Sequence, residues 1–210
     1  MDGPPLSFAR RFGEAVAVAL VVLILYMGTG TRAVATLPPP ATPLDAHVPV
    51  LPVMIWFYLP GYVCLFLLVL WLLRDTASFR ASLFCFAGIS VVAVASFVLL
   101  AMPAPPRPAL GTGGTNELLL TWLYGFDPAA NVFPSLHVAN SVLCAGIARQ
   151  LDRRLGIVAW ALALLVALST VTLRQHWIAD VVSGALLGAA GVIAWARLRA
   201  LSGRPTHSAA

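Results

Sequence analysis

Two short segments of the chain carry the side chains that could do chemistry, and each lies where a long apolar run begins. They are Phe133–His137, which contains a serine and a histidine, and His176–Asp180, which contains a histidine and an aspartate. An ionisable side chain at membrane depth costs about 2.5–3.5 kcal/mol on insertion scales, so a cluster of such groups indicates a functional site.

The second segment has the spacing of an oriented histidine. His176 and Asp180 are four residues apart, so on a helix they share one face and the carboxylate can hold one ring nitrogen. The other nitrogen is then free as a nucleophile or base, as in catalytic triads. A solvated helix cap is the alternative interpretation of the same spacing.

The groups around the histidines favour an anionic ligand. Ser135 begins an apolar run and is a predicted N-cap, and the free N–H groups of the first helical turn bind anions. Arg107 and Arg174 offer planar guanidinium groups that match phosphate geometry. Each group also has an ordinary interpretation, with the arginines as head-group anchors and His137 as an interfacial polar residue. Taken together, they favour phosphate chemistry.

The composition predicts what must position these groups. The chain has 210 residues, of which 60% are hydrophobic and 10% charged, and its mean hydropathy is +0.90. These values are typical of an integral membrane protein. A spanning helix needs about 20 apolar residues. We expect an all-α bundle of six transmembrane helices in one membrane domain, residues 1–210, with spans at about 14–27, 53–73, 81–102, 135–151, 155–173 and 177–198.

Proline and glycine refine this layout. The loop at 103–134 is bounded by prolines, and within it Glu117–Phe126 predicts a short interfacial helix between the third and fourth spans. Pro60 predicts a kink in the second span. Gly184 and Gly188 in the last span have the spacing of close helix packing, although a dimerisation face fits the same pattern.

Charge placement predicts the orientation. The chain contains no lysine, and most of its arginines fall on one side of a six-span layout. They are Arg10, Arg11, Arg74, Arg80, Arg149, Arg153, Arg154, Arg197, Arg199 and Arg204. By the positive-inside rule both termini are cytoplasmic and the histidine segments extracytoplasmic, with Arg32, Arg107 and Arg174 on the same side as the histidines. The net charge of +5 is therefore a topology signal and does not indicate nucleic-acid binding.

Two further patterns in the sequence bear on processing and on metal binding. Arg10-Arg11, an apolar stretch and Ala33-Val34-Ala35 also fit a cleaved secretory signal, which leaves the orientation of the later spans unchanged. Cysteines occur within the apolar spans at Cys64, Cys85 and Cys144, without zinc-type spacing, and are expected to pack. We expect no metal and no cofactor.

The motifs resemble those of a known family. Arg107-Pro108, Pro134–His137 and Ser169-Thr170-x5-His176-x3-Asp180 lie in this order within residues 103–190. Together they resemble the three signatures of the type 2 phosphatidic acid phosphatase superfamily, membrane branch, which are Lys-x6-Arg-Pro, Pro-Ser-x-His and Ser-Arg-x5-His-x3-Asp.

The resemblance implies a six-helix core, a site on the outer face and a role for each residue. His176 would attack phosphorus to form a phosphohistidine, and Asp180 would orient it. His137 would protonate the leaving alkoxide, while Arg107 and Ser135 would hold the phosphate oxygens.

The sequence departs from the family pattern at two cations. Leu100 stands where the family has its lysine, and Thr170 stands where it has an arginine. Arg174 could replace part of this charge from the loop side. The sequences Phe-Pro-Ser-Leu-His, Ser-Thr and Gln-His-Trp are more similar to the fungal inositol phosphorylceramide synthase branch, whose members transfer a phospho-head group. Transfer and hydrolysis share the phosphohistidine step and differ in the acceptor.

The sequence therefore predicts a membrane lipid-phosphate phosphatase that acts on a phosphatidate-like or polyprenyl (pyro)phosphate lipid, in a bacterial inner membrane and among membrane lipids. A phospho-head-group transferase is the alternative. A transporter is disfavoured because residues 83–102 and 156–173 contain no ionisable side chain except Cys85, so no charged relay crosses the membrane.

Overall fold

The computed structural model describes residues 6–30, 37–111, 113–127 and 129–202, and these residues form a helical bundle without a strand. Its seven α-helices are α1 (Phe8–Gly30), α2 (Tyr62–Leu72), α3 (Thr76–Leu99), α4 (Thr115–Phe126), α5 (Leu136–Leu151), α6 (Arg153–Thr172) and α7 (Ile178–Leu201). Short 3-10 helices lie at Pro43–His47 and Pro52–Met54. The predicted all-α class is confirmed in this part of the chain.

Five helical segments among the described residues are long and apolar enough to cross a membrane, by length and composition. They are Phe8–Gly30, Pro52–Leu72, Thr76–Leu99, Arg153–Thr172 and Ile178–Leu201. The chain is thus an integral membrane protein. The predicted fourth span corresponds to α5, whose 16 residues rise only about 24 Å at 1.5 Å each, less than a bilayer core of about 30 Å. The sixth span therefore stays a prediction.

Two local predictions can be compared with the helices. The segment predicted as an interfacial helix lies in α4, and its place at the membrane surface stays a prediction. At Pro60 the second span contains a π-helical turn, Phe57–Gly61, directly before α2. Proline has no N–H to donate to the preceding turn, which accounts for the wider turn at this position.

α5 lies at the centre of the bundle and contacts α2, α3, α6 and α7. Its buried face includes several small residues, which let neighbouring backbones approach: Ala139, Ser141, Ala145, Gly146 and Ala148. A Cβ atom added at Gly184 of α7 would overlap the carbonyl oxygen of Ser135, and one at Gly188 would overlap that of Ala139. These glycines therefore bring α7 into backbone contact with the start and first turns of α5.

Contacts between helix ends show which parts of the bundle lie together. The Arg11 guanidinium donates to the carbonyl oxygens of Leu70 and Leu73, at the end of α2. The Trp195 indole of α7 donates to the Ser78 carbonyl at the start of α3, at 3.0 Å. These contacts define one end of the bundle, and both histidine segments lie at the other. Arg32, Ala33-Val34-Ala35 and Arg204, used in the sequence predictions, lie outside the described residues.

Candidate active site

The turn that ends α6 presents the first candidate catalytic histidine. The Gln175 N–H donates to the Thr170 carbonyl at 3.0 Å, and the Arg174 N–H donates to the Val171 carbonyl at 3.1 Å. This pair of bonds is a Schellman motif, in which one residue takes a left-handed backbone conformation. Arg174 is that residue, with φ 54°. The His176 N–H also reaches the Thr170 carbonyl, at 3.1 Å, so the turn fixes the backbone of the histidine.

The Arg174 side chain ties this turn to the loop at residues 42–48. Its guanidinium donates to the carbonyl oxygens of Asp45, at 3.2 Å, and Val48, at 2.8 Å. These bonds offset the cost of a left-handed conformation in a residue that carries a Cβ atom. Sequence reasoning predicted a phosphate-binding role for Arg174, and the structure instead turns its two terminal nitrogens toward loop carbonyls.

Asp45 connects the same loop to the start of α7, and sequence reasoning missed it. Its carboxylate accepts the Ile178 N–H at 2.9 Å and the Thr42 N–H at 2.6 Å. Burial raises the pKa of Asp45, but the hydrogen bonds from Ile178 and Thr42 and the charge of Arg174 outweigh it, so the pKa lies below its usual value. The Thr42-x-x-Asp45 capping pattern was the available signal.

The His176 ring is held at one nitrogen. Nδ1 lies 2.9 Å from the Val132 carbonyl oxygen and 3.5 Å from Oδ2 of Asp180. Both partners are acceptors, so Nδ1 is inferred to carry the proton and Nε2 to keep its lone pair. The predicted pairing with Asp180 is thus a close electrostatic contact, and the direct hydrogen bond is to Val132.

Asp180 is completely buried and organises the backbone around it. Its Oδ2 accepts the Trp177 N–H at 2.8 Å, and its carbonyl oxygen accepts the Ser135 N–H at 3.0 Å. Ser135 is the N-cap of α5, and its hydroxyl accepts the Val138 N–H at 3.4 Å. The two predicted motifs are therefore joined through the backbone.

His137 lies in the first turn of α5, facing His176. The centroids of the two imidazole rings are 6.3 Å apart. The His137 ring stacks on Tyr58, with centroids at 4.3 Å, and is tilted against Tyr62 at 4.7 Å. The Tyr58 hydroxyl lies 3.4 Å from its Nδ1. The structure therefore brings both predicted histidines into one site.

Arg107 lies beside the His176 turn. Its Nη1 donates to the carbonyl oxygens of Tyr124, at 2.8 Å, and Asp127, at 3.1 Å, and its Nη2 donates to Oε1 of Gln175 at 3.0 Å. The guanidinium also covers the Tyr124 ring, 4.9 Å from its centroid. Arg107 Nε and Gln175 Nε2 are buried donors without a protein partner.

Asp127 is a second carboxylate near the site that sequence reasoning missed. It accepts the Tyr26 hydroxyl at 2.7 Å and the Tyr58 hydroxyl at 3.3 Å. Burial raises the pKa of Asp127 above its usual value, against the lowering effect of these hydrogen bonds and of Arg107. Asp127 is the single acidic residue between Glu117 and Asp152, which is the signal that could have marked it.

The arrangement can perform nucleophilic chemistry on a phosphoryl group. One imidazole nitrogen is free, a second imidazole faces it, and helix N–H groups and an arginine lie nearby. Within the described ranges, no group of three or more His, Cys, Asp or Glu side chains is placed to hold a metal ion.

Comparisons with known proteins agree with the motifs. The family model of the PAP2 superfamily matches residues 38–194. An uncharacterized protein of Methanocaldococcus jannaschii is 31% identical over 104 residues, which cover 49% of this chain and 39% of that protein. The chain therefore spans about two fifths of the length of this relative. No solved structure matches significantly. The family match covers most of the chain, including both histidine segments, and the chain belongs to the PAP2 superfamily, the type 2 phosphatidic acid phosphatases.

Proposed function

We propose that the protein is a membrane lipid-phosphate phosphatase that removes phosphate from a phosphatidate-like or polyprenyl (pyro)phosphate lipid through a phosphohistidine. The observation that carries the proposal is the pair of facing imidazoles, with ring centroids 6.3 Å apart, of which His176 is held at Nδ1. A nucleophile with one fixed nitrogen and one free nitrogen is ready for in-line attack on phosphorus between the rings.

In the first step, Nε2 of His176 attacks phosphorus and the ester P–O bond breaks. The electron pair goes to the leaving oxygen, which takes a proton from the His137 imidazolium and departs as the lipid alcohol or, from a pyrophosphate lipid, as the lipid monophosphate. In the second step, neutral His137 takes a proton from water as the water attacks the phosphohistidine. This releases inorganic phosphate and restores both histidines.

The phosphoryl oxygens need donors in place of the two family cations that the chain lacks. The N–H groups that follow Ser135 in the first turn of α5 supply some of them. Arg107 Nε and Gln175 Nε2 are buried next to His176 without protein partners, and they can supply others. Arg174, with its terminal nitrogens on the loop at residues 42–48, acts in this proposal by holding the turn that carries His176.

Asp180 and Asp127 act behind the two imidazoles. Asp180 lies 3.5 Å from Nδ1 of His176 and stabilises the positive charge that develops on this ring during attack. The Tyr58 hydroxyl donates to Asp127 and lies 3.4 Å from Nδ1 of His137, so in this proposal the pair holds the orientation of the His137 ring. The site faces the extracytoplasmic side in this proposal, because the basic ends of the helices lie at the opposite end of the bundle.

A head-group transferase of the inositol phosphorylceramide synthase type is the second candidate. Thr170 and Leu100, at the positions of the family cations, and the Phe133–His137 sequence support it. Such an enzyme uses a lipid hydroxyl in place of water in the second step.

Product analysis distinguishes the two candidates. Purified protein in phospholipid vesicles is incubated with phosphatidate, polyprenyl diphosphate or phosphatidylinositol, with and without ceramide as acceptor. A phosphatase releases inorganic phosphate without an acceptor. Formation of a new phospholipid only when the acceptor is present identifies a transferase, and the absence of both products refutes the proposed chemistry.

A further inference from the structure

An apolar cavity of about 560 Å³ lies between α1 and the bundle formed by α2, α3 and α5. Its polar and ionisable groups are concentrated at the end near the candidate active site. Apart from the buried Cys144 thiol, they are Tyr26, Tyr58, Tyr62, Asp127 and His137. Ser82 lines the cavity further along, where its hydroxyl donates to the Phe79 carbonyl of its own helix. The cavity therefore has one polar end and a long apolar body.

The cavity extends deep into the bundle. Its lining residues on α1 run from Phe12 to Met27, a rise of about 22 Å at 1.5 Å per residue. One leaflet of a bilayer core is about 15 Å thick, half of about 30 Å. The far end is lined by Leu73 and Phe79, both almost fully buried. A hydrocarbon chain that starts at His137 can thus pass the bilayer midplane along this cavity, whose lining includes the exposed side chains of Leu23, Val63 and Leu67.

We infer that this cavity binds one hydrocarbon chain of the lipid phosphate substrate, and that its far end limits the length of the chain. The inference rests on the proposed function and adds that one hydrocarbon chain of the substrate lies in this cavity, with the phosphate at its polar end.

The position of the polar groups identifies the occupant. A membrane lipid that only packs its chain along α1 gains nothing from ionisable groups at one end of the groove. The apolar part of this cavity ends at His137 and Asp127. His137 is one of the two imidazoles that flank phosphorus in the proposed mechanism. A chain in the cavity therefore places the phosphate that it carries between His137 and His176.

Chain selectivity tests the inference. Ala19 and Ala15 line the cavity one helical turn apart on α1, whereas Ala17 lies between them in sequence and does not line it. Ala19→Phe and Ala15→Phe put a ring into the cavity at two depths, and Ala17→Phe puts the same ring on another face of α1 as a matched control. Each variant is assayed in mixed micelles with decyl, tetradecyl and octadecyl phosphate.

We expect Ala19→Phe to lower the ratio of kcat/KM for octadecyl over decyl phosphate by about tenfold or more. Ala15→Phe, which lies deeper, should change this ratio less and should spare tetradecyl phosphate. Ala17→Phe should leave the ratio as in wild type. A uniform loss for all three chains, or the same shift in Ala17→Phe, overturns the inference.

A binding readout separates the inference from the proposed function. Octadecyl phosphate with a terminal diazirine is photo-crosslinked to the His176→Ala variant, and the adducts are mapped by mass spectrometry. Adducts near Phe12, Leu73 and Phe79 support the cavity, and adducts spread over the outer helix faces overturn it. If wild-type protein neither releases nor transfers phosphate but the cavity adducts form, the proposed function fails and the chain site stands.

Discussion

The two histidines of the site are held in opposite ways. His176 is fixed by backbone elements: the Schellman turn after α6, the Val132 carbonyl and the start of α7, which the loop at residues 42–48 braces. His137 is held by aromatic rings, between Tyr58 and Tyr62, at the mouth of the apolar cavity. His176 is thus held mainly by main-chain groups, whereas His137 is held by aromatic side chains.

This difference matches what each proposed role needs. A nucleophile must meet phosphorus in line, so its orientation has to be set before binding. A general acid must reach a leaving oxygen whose position depends on the lipid, and in the proposal side chains alone place His137 for this role. The predictions below test this division, from the largest expected effect to the smallest.

Removal of the fixed imidazole should abolish turnover. His176→Ala takes away the nucleophile, so we expect no phosphate release and no transferred product from purified, folded protein. His47→Ala, which removes an exposed histidine, is the control and should keep activity. Activity of His176→Ala near the wild-type level would remove the mechanism.

Removal of the second imidazole should slow the reaction without abolishing it. A positioned general acid contributes about 10²–10⁴-fold, so His137→Ala should lose activity in that range on an alkyl phosphate. The loss should be smaller on a nitrophenyl phosphate, whose leaving group needs no proton. Tyr62→Phe keeps the ring beside His137 and serves as the control. Equal losses of His137→Ala on both substrates would argue against an acid role.

Arg107→Lys keeps the charge and loses the planar fork. Loss of an electrostatic donor at a transition state typically costs about 10²–10³-fold in kcat, and we expect a value at the lower end because lysine keeps a charge nearby. Steady-state kinetics with one lipid phosphate provide the measurement. A change confined to thermal stability, with kcat intact, would mean that Arg107 only anchors the loop.

Arg174 tests the bracing of His176. Arg174→Gly and Arg174→Ala both delete the hydrogen bonds to Asp45 and Val48, but only alanine keeps a Cβ atom at φ 54°. We expect the alanine variant to be less stable than the glycine variant by about 1–2 kcal/mol, with wild type the most stable. Thermal unfolding in detergent gives the order. A raised KM in Arg174→Gly with unchanged stability would instead favour the phosphate-binding role predicted from the sequence.

Asp45 gives the smallest effect, and it depends on pH. Its folded-state pKa lies below the usual 3.8, so its stabilisation is complete above that value and is lost as pH falls through the folded pKa. Asp45→Asn keeps one acceptor oxygen and should cost about 0.5–1 kcal/mol at neutral pH, as for a weakened helix cap. The gap to wild type should narrow below about pH 3.8. A gap that is constant with pH would show that the charge of Asp45 contributes nothing.

Sequence reasoning reached the features that local spacing encodes. The helical class follows from apolar periodicity, and the N-cap at Ser135 and the contact between His176 and Asp180 follow from separations of a few residues in sequence, although His176 lies just before α7 and not on the helix as predicted. Other parts of the site depend on contacts between distant segments. Asp45 meets Ile178 across 133 positions, and Val132 meets His176 across 44. The local spacing of residues does not reveal either pairing. A backbone carbonyl acceptor cannot be recognised from the sequence, because every residue type has one.

The turn at Arg174 shows a second kind of limit. The phosphate-binding role of Arg174 stays a prediction, whereas its left-handed backbone conformation is a feature that charge does not reveal. A helix that ends without glycine gives no warning of a left-handed residue.

The crossing of α7 over α5 at Gly184 has a consequence for substrate choice. Main chain lies against main chain at this crossing, so the segments that carry His176 and His137 cannot move apart without separating the two helices. In the proposed mechanism, the three small oxygens of a phosphomonoester lie between the two rings. The second substituent on phosphorus of a diester would have to lie outside this crossing.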